Sequence, residues 1–129
     1  MKRTITMILA TAAVATTMAC SGANASAKKE DPTANADYHY KLASGYFHAD
    51  RREEKARQVH LARMELEQAL TYDSEHVPSH YLLGFILMGR RQYAEAIVHF
   101  KEVLRLEPSY HDATNNLGVI YLAQERWED

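Results

Sequence analysis

The chain reads as an all-α protein, a superhelical solenoid of antiparallel helix pairs about two and a half repeats long. Leu83-Gly84 returns 34 residues later as Leu117-Gly118, with Leu87 returning as Tyr121 and Tyr93 as Trp127. The same offset joins Ala62 to Ala96, Leu66 to Phe100, Leu70 to Leu104 and Ser74 to Pro108. Each unit sets a small residue where two helices cross closely and a large one beside it, which is how stacked helix pairs bury a continuous core. A stack of this kind offers a curved binding surface rather than an enclosed catalytic pocket.

The elements follow in order. Residues 1–20 read as a secretory signal: Met1-Lys2-Arg3 is a basic start, and Ile5 to Ala19 runs fifteen residues without a charge. A membrane span needs about 20 apolar residues, so this run suits a signal core better than a span. Two processing readings stand. Thr17-Met18-Ala19-Cys20 resembles the bacterial lipobox, which would make Cys20 the lipidated first residue. Ala23-Asn24-Ala25 instead fits ordinary signal peptidase, giving a soluble chain from Ser26. Residues 21–36, poor in apolar groups and broken by Pro32, read as a flexible linker.

From there the pattern predicts helices near 36–48, 51–72, 77–89, 92–106 and 111–124, and the start of a sixth from about 126. The repeats span about 36–76, 77–110 and 111–129. The first repeat holds seven extra residues, because Leu42-Ala43 precedes Leu83-Gly84 by 41 positions while its second helix keeps the spacing of 34. Seven residues make about two turns, so an insert within a helix preserves its buried face. Asp50 and Glu53 form a capping-box pattern at the start of that longer helix. Its charge run (Arg51, Arg52, Glu53, Glu54, Lys55, Arg57) reads as a solvated face, with a partner site as the alternative. Gly89 suits the exit of the third helix, Pro108 halts the fourth, and Ser109 with Asp112 can cap the fifth. The sixth helix barely begins, which predicts a fragment of a longer repeat protein with Leu117, Ile120 and Tyr121 left bare.

These positions resemble the tetratricopeptide repeats over most of the chain after residue 36. The middle repeat carries the pattern as His80, Leu83, Gly84, Leu87, Tyr93, Ala96, Phe100, Val103 and Pro108, and the third as Leu117, Gly118, Tyr121 and Trp127. The resemblance implies a concave groove lined by the first helix of each pair. Its positions here are Tyr40, Ser44 and Phe47, then Tyr81, Phe85 and Met88, then Asn115, Val119 and Leu122 with Asn116 beside them. Tyr81, Phe85 and Met88 recur at i, i+4, i+7 and form one stripe, apart from the core face of Leu83, Gly84 and Leu87. The stripe either meets a partner or packs between repeats. The basic residues with which some family members clamp a peptide carboxylate are absent, so the implied ligand is an apolar or amphipathic segment.

The signal, the tether and repeats reading His80-Tyr-Leu-Leu-Gly and Asn115-Asn-Leu-Gly-Val-Ile-Tyr-Leu together resemble the outer-membrane lipoproteins that assist type IV pilus assembly. That resemblance implies an outer-membrane lipoprotein facing the periplasm, with secretin subunits as partners and the lipid anchor as its contact with membrane. A general periplasmic adaptor, and the recruiting end of a longer enzyme, are the alternatives.

Catalytic motifs are missing: no Gly-rich phosphate loop, no Gly-x-Ser-x-Gly turn and no His-Glu-x-x-His helix occurs. The reading is therefore non-enzymatic, with no cofactor. The seven histidines are scattered, and Pro78 interrupts the closest pair, His76 and His80, so packing or surface roles are favoured over a metal site. The formal charge is −2, and loss of Lys2 and Arg3 with the signal would take it to −4. A mildly acidic chain lacks the electrostatic footprint for nucleic acid or anionic lipid. One cysteine permits no internal disulfide.

Overall fold

The computed structural model describes residues 31–49 and 54–125, the side chain of Glu125 excepted. The expected signal, Cys20 and Ser26, the Asp50–Glu53 cap and the sixth helix with Trp127 lie outside the described residues. Among the described residues five helices follow one another: α1 (Pro32–His48), α2 (Lys55–Tyr72), α3 (Val77–Gly89), α4 (Tyr93–Leu106) and α5 (His111–Glu125). Each packs on the next, and α3 also touches both α1 and α5, so the first helices of the pairs line up side by side. The fold is an all-α solenoid of about two and a half repeats.

Helix α1 begins at Pro32, so residues 32–36 are helix rather than the expected linker. The Asp31 carboxylate accepts from the Thr33 N–H at 3.0 Å, and proline sits in the first turn, where its missing N–H costs nothing. Composition alone passes over this Asp-Pro start. Ala36 then anchors the first turn, wholly buried.

Helix α2 is described from Lys55, and Glu54 before it makes no side-chain cap. Lys55 is more than part of a solvated face. Its Nζ donates to the Phe47 carbonyl at 2.7 Å, satisfying a free C=O at the end of α1. The same ammonium lies 5.1 Å from the Phe47 ring centroid, a cation–π contact.

Helix α3 ends at Gly89 as expected, but the left-handed residue of its exit is Arg91, with φ of 60°. The amides of Arg91 and Gln92 donate back to the Met88 and Leu87 carbonyls, closing the helix end without a left-handed glycine. Glu107 closes α4 by donating to Val103 at 2.7 Å, and Pro108 prevents continuation. The Tyr110 carbonyl accepts from Ala113 and Thr114 to open α5, while Asp112 in the first turn favours the positive helix end.

All five helices share one core. At its centre α3 and α4 cross closely: a Cβ on Gly84 would lie 3.0 Å from Cε1 of the wholly buried Phe100. The first repeat sets Ala43 and Leu66 at the corresponding positions, both wholly buried in the same core. The expectation that Leu117 and Ile120 stand bare is corrected: they are 9% and 0% exposed, because that face of α5 turns back into the core of α3 and α4. Tyr121 alone of the three is exposed, at 42%, whereas its counterpart Leu87 is 1% exposed.

Candidate functional site

The groove grows from the alignment of α1 and α3. Tyr40, Ser44 and Phe47 come from successive turns of α1, and Tyr81, Leu82 and Phe85 from α3. With His48 they line a hollow of about 230 Å³. Its walls are aromatic. Phe47 and Phe85 meet edge to face at 5.9 Å, joining the two repeats, and Tyr81 stacks on Phe85 at 6.5 Å. Lys55 fixes the Phe47 end of this row from behind.

The stripe on α3 divides between its two expected roles. Tyr81 and Met88 are half-buried and pack against the core, Tyr81 lying 5.9 Å from Phe100. Phe85 is the member that faces outward, 38% exposed. An aromatic ring held on one edge and open on the other suits insertion of a partner's apolar side chain.

Helix α5 carries the equivalent repeat positions and meets the groove through Asn116. Asn115 is exposed, and Val119 and Leu122 are 56% and 64% exposed, an apolar row at i and i+3 beside the Asn115 amide. Asn116 is half-buried, and its Nδ2 donates to the Tyr81 hydroxyl at 3.4 Å. It therefore positions Tyr81 rather than standing wholly free for a ligand. Asn115 keeps its amide open to a peptide backbone.

Two contributors escape the sequence reading. Tyr110 packs on Tyr81 at 5.0 Å, and burial pushes its phenol above the usual value, so the hydroxyl stays neutral. Its only signal is an aromatic just ahead of a helix start. His76 is 6% exposed, with Nδ1 2.8 Å from Ser79 Oγ and Nε2 3.1 Å from Asp37 Oδ1, and its ring meets Tyr40 edge-on at 5.7 Å. It ties the α2–α3 turn to α1 behind the groove.

The histidines that look scattered in sequence are partly paired in space. His39 Nδ1 meets Glu65 Oε2 at 2.7 Å, and His80 Nδ1 meets His99 Nδ1 at 2.9 Å. Among the described residues no three His, Cys, Asp or Glu side chains converge as metal ligands would.

Comparison with known families places this geometry. Residues 77–110, which are α3, α4 and the turn after them, match the family described as tetratricopeptide repeat. No curated protein matches the chain.

Proposed function

We propose that this tetratricopeptide-repeat solenoid is a protein–protein interaction scaffold of the bacterial cell envelope, holding an apolar or amphipathic partner segment in its concave groove. The observation that carries the reading is the aromatic row Phe47–Phe85–Tyr81, part-exposed across two repeats, with Val119 and Leu122 exposed at the equivalent positions of the third. Apolar area of this kind supplies affinity, and the exposed Asn115 amide supplies backbone hydrogen bonding. A carboxylate clamp would need cations, and none of the groove residues is basic except His48 at the rim.

The envelope assignment rests on the basic start, the apolar run and Ala19-Cys20. In this reading Cys20 carries the lipid, the chain faces the periplasm from the outer membrane, and the partners are secretin subunits of a type IV pilus. Among the described residues no helix is long and apolar enough to cross a membrane; in this reading the acyl chains on Cys20 are the anchor. The alternative within the same class is a soluble periplasmic adaptor starting at Ser26.

A photo-crosslinking residue at position 85 of the full chain in living cells tests the proposal. Capture of secretin subunits supports the pilus reading, and capture of other envelope proteins supports the adaptor. Capture no greater than from position 94, an exposed site on α4, rejects the groove.

A further inference from the structure

His80 stands in the first turn of α3 and His99 in the middle of α4, and their Nδ1 atoms lie 2.9 Å apart with ring centroids 5.2 Å apart. The other nitrogen of His80 sets the direction of this bond. Its Nε2–H donates to the Ser74 carbonyl at 3.0 Å, and a carbonyl can only accept. Neutral His80 therefore presents a lone pair at Nδ1, and the Nδ1–H of His99 donates to it. One added proton leaves an N–H···N bond intact, whichever ring carries it. A second removes the last acceptor: two Nδ1–H donors and two positive charges would then face each other at bonding distance.

We propose that the His80–His99 pair is an acid-sensitive latch, closing the α3–α4 hairpin while at least one ring is neutral and releasing it when both are protonated.

The surroundings favour the closed form above mild acidity. Burial, and then the neighbouring His80, hold His99 below the ordinary histidine value. Glu95 on α4 and Glu67 on α2 pull the other way, less strongly, and Arg63 occupies Glu67 at 2.7 Å. Glu102 also faces His80, but Arg105 holds that carboxylate first and shares itself with Glu75. A ring whose proton affinity is lowered on folding binds fewer protons folded than unfolded. Its stabilising contribution is thus complete above the unfolded value of about 6.5 and is lost as pH falls below it.

The other two histidine contacts differ in kind. His39 Nδ1 meets Glu65 Oε2 and His76 Nε2 meets Asp37 Oδ1, so neither brings two imidazoles face to face. Acid should therefore loosen the second repeat selectively while the joint between α1, α2 and the α2–α3 turn holds. Tyr81 follows His80 directly on α3, so loosening would reach the groove wall.

Amide hydrogen exchange on the full chain at pH 7.5 and 5.5, corrected for intrinsic rates, tests the latch. Protection in α3 and α4 should fall more than in α1 and α2, because the folded protein binds a proton at His99 more weakly than the unfolded chain does. In His99→Gln, whose amide can donate to or accept from His80 in either charge state, that excess loss should vanish. Equal losses in all helices, or an unchanged excess in the variant, overturn the proposal. Should the variant fold poorly, proton NMR of the native protein decides: a His99 ring titrating at or above 6.5 also overturns it.

Discussion

Replacing Phe85 with alanine removes the most outward ring of the groove and separates its two roles. Full burial of a phenylalanine side chain is worth about 1.5–3 kcal/mol, and at 38% exposure roughly three-fifths of that, about 1–2 kcal/mol, is at stake. The edge-to-face contact with Phe47 at 5.9 Å adds about 0.5–1.5 kcal/mol. Phe85→Ala should therefore cost about 2 kcal/mol of folding free energy. Phe100, wholly buried against Gly84, sets the scale for true core: Phe100→Ala should cost about 3–5 kcal/mol. Urea unfolding of both variants reads the difference as a shift in midpoint at constant slope. For partner capture, loss of a central aromatic anchor should weaken binding by about 2 kcal/mol, close to thirtyfold in Kd. A Phe85→Ala variant as unstable as Phe100→Ala, with unchanged capture of the proteins crosslinked from position 85, would show the ring to be inter-repeat core and refute the groove.

Three further outcomes are expected. Gly84→Ala should destabilise by about 1–3 kcal/mol in thermal unfolding, since its Cβ would meet a packed Phe100 ring at 3.0 Å. Gly118→Ala, at the same repeat position but with nothing within 4 Å among the described residues, should be stabilising by up to about 1 kcal/mol through helix propensity. Mass spectrometry of the mature N-terminus should find an acylated Cys20; a free amine at Ser26 would make the chain a soluble one.

The difference between those two glycines shows what was legible in the sequence and what was not. The 34-residue offset places Gly84 and Gly118 on the same helical face, and with them the helices 77–89 and 111–124 to within a residue. Period and small–large pairing are written in residue types, because every repeat must bury the same face. What surrounds each copy is not written there. Gly84 closes on Phe100 while Gly118 meets nothing within 4 Å among the described residues, and of the three α5 positions expected bare only Tyr121 is exposed. The same reading left Leu117 and Ile120 bare by counting only the missing neighbour and not the core already behind them. The groove repeats this division: its aromatic positions followed from the repeat. That Phe85 faces out while Asn116 is engaged with Tyr81 depends on side-chain directions, which no spacing specifies. Histidine chemistry was the least legible part. His80 and His99 lie nineteen residues apart, and only the antiparallel return of α4 along α3 turns two unremarkable side chains into one shared hydrogen bond. In a solenoid the function-bearing contacts are therefore those between a repeat and its neighbour's particular residues, and a mutation read from the consensus alone will mistake anchor for core.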